Sequence, residues 1–398
     1  MSGDVPPPPR AGDRPRRGDG SYFTGPGEAE EVSFGSWRPR ARWRPGWLLT
    51  AAAAAVIVAA AIVAADGSGK TGTGKHPPVP PQPAPLAFGM TDVGHPLLDV
   101  RAGWELYGYG PTGVARIQFA RGRITWTGVP ALQSSGPLAL LAAAGEVIIR
   151  PIDGVPGYVV PDGSHARTLT GALSRGGAVI PGPRPGTAWV QPRFTATALQ
   201  LTRLDGRGTG VSLRLPPGGP WQVSPDGRGY ALLSGVGTGA VYDVRPGNTR
   251  RVTGTLVAAG PTRWLVADCH SQRRCTYAVI DTGTGTRRTL PGRTPAPVSM
   301  NGVIAPDGST AAVLRAVGGR LRLHLISLAS GADQPVTMSL DRDAENGQTL
   351  AWSPDSRWLF AINRYGGLAA VNAGTHRAAS LGVALPPLTA LAVPGTGG

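Results

Sequence analysis

Three stretches of the chain repeat one alternation of apolar and polar positions. They are "WQVSPDGRGYALLSGVGTGAVYDVRPGNTRRVTG" from Trp221, "GVIAPDGSTAAVLRAVGGRLRLHLISLASGADQPVTM" from Gly302 and "LAWSPDSRWLFAINRYGGLAAVNAGTHRAASLG" from Leu350. Each predicts a strand, a Pro-Asp turn, two apolar strands separated by a Gly-rich turn, then a Gly turn and a polar strand. Alternation with period two marks half-buried strands. Pro presets φ at the second turn position, Asp accepts hydrogen bonds from the backbone just ahead of it, and Gly takes positive φ. The final turn of each unit gives the period. Gly122, Gly163, Gly206, Gly247, Gly283, Gly331 and Gly374 follow one another at 36 to 48 residues, 42 on average. Seven such units of about four strands predict an all-β fold, a β-propeller of seven four-stranded blades over residues 95–393. A blade cannot bury both faces alone, so stacking of neighbours must supply the core.

A ring must also close. The first unit shows three strands, in "WELYGYG", "ARIQFAR" and "RITWTGV", with "PLLDV" a weak fourth. The chain continues past the seventh unit with the apolar run "LTALAV", residues 388–393. These residues are expected to pair within the sheet holding residues 104–127. The alternative is an extra edge strand on the seventh blade.

The matches at Ser224–Gly227, Ala305–Gly308 and Trp352–Asp355 resemble the Trp-Ser-Pro-Asp-Gly repeats of TolB-like and WD40-like (PD40-type) propellers. The first three units lack the motif, and Pro261-Thr262-Arg263-Trp264 replaces it in the fifth. The resemblance implies a fold and names no function. Pro225, Asp226, Gly227, Pro306, Asp307, Gly308, Pro354 and Asp355 fall on its turns. Recurrence at blade spacing points to a structural turn role for the three aspartates, since a catalytic residue normally occurs once. Trp189, Trp264, Trp352 and Trp358 lie in or beside strands and are expected to pack between blades.

Residues 47–65, "WLLTAAAAAVIVAAAIVAA", hold nineteen residues without a charge. At 1.5 Å per residue they reach about 28 Å, one hydrocarbon core. Arg38, Arg40, Arg42 and Arg44 precede them and Asp66 follows, which puts the N-terminus in the cytoplasm and the rest outside. The expected order is a disordered cytoplasmic tail over 1–46, a single transmembrane helix over 47–65, a Gly/Pro-rich linker over 66–94 and the extracytoplasmic propeller. A signal peptide cut after Val63-Ala64-Ala65 is the alternative; 46 residues ahead of the apolar run are long for one.

Charge then needs a partner outside the cell. The formal charge is +15, carried by arginine apart from Lys70 and Lys75. Arginine in place of lysine, with abundant Ala, Gly and Pro, resembles the usage of GC-rich actinobacterial genomes. Outside the membrane, basicity excludes genomic DNA and leaves anionic lipids or cell-wall polymers. The linker run "DGSGKTGTGKHPP" is no phosphate loop. Spacing back from Gly69-Lys70 puts Ala64 where the first glycine belongs, His76 stands where Gly74-Lys75 needs a hydroxyl, and Pro77 and Pro78 forbid the helix. Neither nucleotide nor nucleic acid is expected as a ligand.

The two cysteines, Cys269 and Cys275, flank a hairpin loop and are expected to form a structural disulfide outside the membrane. Their spacing suits neither zinc nor a redox pair. No Gly-x-Ser-x-Gly elbow occurs. The Pro-Asp turns do not supply the Ser-x-Asp-x-Gly-x-x-Trp box of propeller sialidases. His324 alternates with apolar neighbours and reads as a hydrogen-bonded core residue. No catalytic, metal-binding or cofactor-binding set is expected. The function expected is a membrane-anchored binding or scaffolding module for a protein, peptide or cell-envelope ligand. The alternative is a propeller hydrolase or lyase acting on an extracytoplasmic sugar or lactone.

Overall fold

The structure, a computed structural model, describes residues 89–132, 138–143, 145–151, 155–162, 164–175, 177–219, 221–235, 239–271, 274–291, 302–317, 320–340 and 348–394. The tail, the apolar segment 47–65 and the linker up to residue 88 lie outside them. Among the described residues no helix is long and apolar enough to cross a membrane.

The described chain is all-β in a propeller arrangement. Four sheets are simple four-stranded units, one has five strands and one has eight. The second sheet runs Leu138–Ala143, Glu146–Pro151, Tyr158–Pro161, Arg167–Thr168, and the third Val179–Pro181, Thr187–Val190, Ala198–Arg203, Gly208–Arg214. The fourth runs Trp221–Pro225, Ala231–Gly235, Ala240–Arg245, Asn248–Thr253, and the last Leu350–Trp352, Trp358–Ile362, Leu368–Asn372, Ala378–Ala379. Strands in each are antiparallel neighbours in chain order. The eight-stranded sheet joins the meander from Thr255–Ala259 to Arg287–Thr289 with the one from Gly302–Ile304 to Asp333–Leu340. The join is a short parallel pairing, Ala258 opposite Gly302 and Ala259 opposite Val303.

The core lies between sheets. Ile148, Leu173 and Ala188 bridge the second and third; Trp189, Leu213 and Leu233 bridge the third and fourth. Leu314, Leu323, Trp352 and Leu359 join the eight-stranded sheet to the last one. All four tryptophans singled out above sit in these layers. Two also reach across with an N–H: Trp189 donates to the Gly229 carbonyl at 2.7 Å and Trp352 to the Val303 carbonyl at 3.1 Å.

The first sheet contains both ends of the domain. Its order is Gly89–Asp92, Arg123–Gly128, Gly113–Gln118, Glu105–Gly110, Ala390–Ala392. The C-terminal strand pairs antiparallel with Tyr107, Gly108 and Tyr109, so the expected clasp forms. Two glycines admit it. A Cβ on Gly108 would stand 2.7 Å from the Leu388 side chain, and one on Gly110 would stand 2.2 Å from the Pro387 carbonyl oxygen. Thr389 donates its N–H to the Tyr109 carbonyl at 2.7 Å, and Leu388 is buried with Phe119 and Phe360 between the last and first sheets. "PLLDV" is not a strand: Leu97–Asp99 make a 3₁₀ turn, with Leu98 and Asp99 at φ 54°. The outer strand is Gly89–Asp92, inside the stretch read as linker, so the described domain begins at 89 rather than 95. Its four residues are all exposed and carry no apolar alternation, which is why only pairing reveals them.

Cys269 and Cys275 oppose each other across the Arg263–Ser271/Arg274–Asp281 hairpin and are disulfide-bonded. Replacing both by Ala should cost about 2 kcal/mol and leave a folded domain, as read by chemical denaturation. Leu388→Ala should cost about 2–4 kcal/mol. Truncation after Leu385 should abolish the single cooperative melting transition; an unchanged melting temperature would refute the clasp as the ring's closure.

Candidate functional site

The Pro-Asp turns do not converge on a site. Asp226 accepts from the N–H groups of Arg228 at 2.7 Å and Tyr230 at 2.8 Å. Asp307 accepts from Ser309 N–H at 2.9 Å, and Asp355 from Arg357 N–H at 3.2 Å and the Ser353 hydroxyl at 2.5 Å. Pro225, Pro306 and Pro354 precede the three aspartates. Gly227 and Gly308 take φ of 81° and 72°, and Ser356 stands at 60° in the third turn. Each turn touches the next. Arg228 donates to the Pro261 carbonyl at 2.6 Å, Arg263 to the Gly308 carbonyl at 2.9 Å, and Asp307 N–H to the Ser356 hydroxyl at 3.0 Å. Burial raises the Asp226 carboxyl above its ordinary pKa, opposed by the two backbone N–H groups. It is 1% exposed and serves its own turn.

Polar side chains do converge between the first and second sheets, around a cleft of about 250 Å³. Val114, Val147 and Val160, all buried, form its apolar floor, with buried Thr127 beside them. The register puts Tyr107 opposite Arg116 and Glu105 opposite Gln118, so these four side chains share one face. Arg116 grips Glu105 with two parallel bonds, Nε to Oε2 and Nη2 to Oε1, both 2.7 Å. Its Nη1 reaches Asp162 of the second sheet at 2.6 Å. Gln118 donates to Glu105 at 2.9 Å, and the Tyr107 hydroxyl to Glu105 at 3.3 Å. Arg121, Arg123, Thr125 and the exposed Met90 complete the rim.

Electrostatics fix the charge state. Burial alone would raise the Glu105 carboxyl; hydrogen bonds from Arg116 and Gln118, with the Arg116 charge, outweigh it and hold the group below its ordinary pKa. The bonds to Glu105 in turn raise Arg116 against burial. Burial pushes the Tyr107 hydroxyl well up, against the pull of Arg116. At neutral pH the cleft therefore holds an ionised Glu105, a fixed guanidinium and a neutral phenol. It can offer hydrogen bonds over an apolar floor. Glu105, held below its ordinary pKa, is placed to carry charge rather than to give up a proton.

A second polar cluster is structural in its contacts. His324 Nδ1 lies 2.9 Å from Asp333, which Arg315 also binds, so His324 is hydrogen-bonded as expected, but it is partly buried rather than in the core. Burial would raise Asp333; His324 and Arg315 hold it below its ordinary pKa. Among the described residues no group of three His, Cys, Asp or Glu is arranged to hold a metal.

Sequence reading missed Glu105, Tyr107, Arg116 and Asp162. A signal existed for three of them: polar residues at alternate positions of "WELYGYG" and "ARIQFAR" mark a polar face where a blade should be apolar. Asp162, in "VVPDGS", looks like one more turn aspartate.

No family model and no curated protein matches the chain. Solved structures resemble it in backbone. A functionally unknown protein from Desulfotomaculum acetoxidans shares 12% identity at a TM-score of 0.47, covering 74% of this chain and 99% of that one. A candidate 6-phosphogluconolactonase from Bacteroides uniformis shares 10% at 0.49, covering 73% and 100%. Virginiamycin B lyase from Staphylococcus aureus shares 9% at 0.44, covering 76% and 90%. Likeness at this level concerns the backbone alone, and the propeller reading rests on the chain's own sheet topology.

Arg116→Met should cost about 1.5–3 kcal/mol at pH 7, the worth of hydrogen bonds to charged groups. The pH dependence separates this from packing loss. Glu105 has a lowered folded pKa, so its stabilisation is complete above the unfolded value and is lost as pH falls through the folded one. Thermal melts between pH 7 and 3 should fall less steeply for Arg116→Met than for the wild type.

Proposed function

We propose that the chain is a binding propeller, anchored by residues 47–65 with its C-terminal domain outside the cell, that uses the cleft between its first two sheets to recognise a protein, peptide or cell-envelope ligand. The charge asymmetry around 47–65 supports the anchor. The reading takes the eight-stranded sheet as two blades, seven in all. The two halves of the eight-stranded sheet share a stacked core of Leu265, Val279, Val313 and Ile326, the same kind of layer that separates the other sheets. The Pro-Asp turns at 225–227, 306–308 and 354–355 favour the TolB-like, PD40-type group of propellers.

One observation carries the binding reading. The polar groups of the cleft saturate one another, with Glu105 and Asp162 both on Arg116 and Glu105 held ionised. Retaining and inverting hydrolases need one carboxyl kept protonated beside one ionised. This cleft supplies fixed charges and apolar contact, the components of recognition.

Protease added to intact spheroplasts should digest the C-terminal domain and spare the N-terminal tail; protection of that domain overturns the topology. The full chain in detergent should be retained by isolated cell-envelope material, and Arg116→Met should reduce retention about tenfold, the loss of one charge-assisted contact. Turnover of a lactone or acidic oligosaccharide that Glu105→Gln abolishes would replace the binding reading with hydrolase or lyase chemistry.

A further inference from the structure

Exposed apolar side chains are few, and they are not scattered. Among the described residues the large ones are Met90, Phe194, Val211, Val317 and Tyr365. Met90 and Val211 lie on outer strands. Phe194, Val317 and Tyr365 all lie at or beside the connection between the second and third strands of a unit. The units meander in one direction around the ring, so these connections emerge on one face.

Two of the tips have the same design. Phe194 is 58% and Tyr365 72% exposed, and each follows an exposed arginine, Arg193 and Arg364. The Arg364 guanidinium stacks 4.5 Å from the Tyr365 ring centre. Both tips are held stiff from below. Buried Gln191 donates its side-chain amide to the Phe194 carbonyl at 3.2 Å. Asn363 accepts the N–H groups of Tyr365 at 2.8 Å and Gly367 at 3.0 Å. A ring held in place yet mostly turned to water is free to contact a partner at one face.

The N-terminal end of the described domain lies at the same face. Gly89 pairs with Trp126, towards the end of Arg123–Gly128 that reaches the level of the first sheet's second-to-third turn at 111–112. Gly89, the first described residue, therefore stands on the side of these tips. In sequence, the second-to-third connections hold one acidic residue, Asp153.

We propose that this face rests on the anionic outer surface of the membrane that anchors the chain, with Phe194 and Tyr365 in the interfacial layer and Arg193 and Arg364 at lipid phosphates. The inference rests on the anchor proposed above. Aromatic rings with adjacent arginines suit the headgroup layer, where one end of the contact is apolar and the other charged. Each arginine near an anionic surface strengthens partitioning about fivefold, so the pair amounts to about thirtyfold. The connection over 341–347, outside the described residues, carries Asp341, Asp343 and Glu345 against this charge.

The test uses the full chain in nanodiscs of phosphatidylcholine, alone or mixed with phosphatidylglycerol. Amide exchange at 191–197 and 363–367 should slow about tenfold or more in the anionic discs. Exchange at the opposite-face turns, 225–230 and 353–357, should not change. Replacing Arg193 and Arg364 by Gln and Phe194 and Tyr365 by Ser should remove the protection without lowering the melting temperature. Equal exchange in both discs, as expected if the acidic connection holds the face off the lipid, overturns the proposal, as does protection of both faces. Release of the chain by alkaline wash would overturn the anchor instead; co-flotation of that released chain with anionic vesicles, lost in the fourfold variant, then decides the face by itself.

Discussion

A twisted four-stranded sheet with two apolar faces is unstable alone, because each face needs a neighbour and each edge strand leaves backbone groups unpaired. In this chain every layer of core is shared between adjacent units, so no unit is stable until the ring is complete. Completion depends on Ala390–Ala392 taking the inner place beside Glu105–Gly110. That place could be filled by N-terminal residues, but the N-terminal strand Gly89–Asp92 goes to the outer edge instead. Both ends of the described domain are thereby tied into one sheet, and the pairing with the largest sequence separation stabilises the whole ring. Closure of this kind is entropically late in folding and makes the domain cooperative once formed.

The arginine content takes a different meaning once the contacts are known. Much of it joins one unit to the next. Arg228 and Arg263 link successive turns through carbonyls, Arg288 reaches the Leu328 and Ala329 carbonyls, and Arg250 lies 5.2 Å from the Trp264 ring centre. Arg150, 1% exposed and without a carboxylate, donates to the Leu173 and Gly177 carbonyls at 2.8 Å and 2.5 Å; burial lowers its pKa to about 10. A guanidinium with five planar donors can satisfy carbonyls where a crossover leaves them unpaired. The net charge of +15 is therefore in part a property of the joints and not wholly a signal for a partner.

What the sequence made legible follows from what is local. Pro-Asp-Gly turns, alternating strands and turn glycines are local signals; the Pro-Asp turns at 225–227, 306–308 and 354–355 marked real turns, while Gly163 of the period lies outside the described residues. The clasp was legible because an apolar run without a unit of its own needed a place. Two turn glycines marked the right turns but not the strained residue: in the structure Gly285 and His376 take positive φ, while Gly283 and Gly374 do not. Gly89–Asp92 and the cleft were not legible, because both are defined by partners far along the chain. Glu105 and Asp162 are separated by 57 residues in sequence and meet through Arg116 and the Tyr107 hydroxyl.

The clasp and the cleft are not independent. Glu105–Gly110 carries both: Tyr107, Gly108 and Tyr109 pair with the C-terminal strand, while Glu105 and the Tyr107 hydroxyl face Arg116 and Asp162. Tyr107 belongs to both sets, 2% exposed and packed with Ala390, Val147 and Val160 between the first two sheets. A slip of one residue in the clasp would turn every side chain of a strand to the other face. The glycines at 108 and 110 guard against that slip, since only their positions admit Leu388 and Pro387. The geometry that lets Arg116 hold two carboxylates from different sheets is thus set by the contact that closes the ring. A recognition surface built there is as rigid as the closure itself, which is the condition under which a few fixed charges can discriminate between ligands.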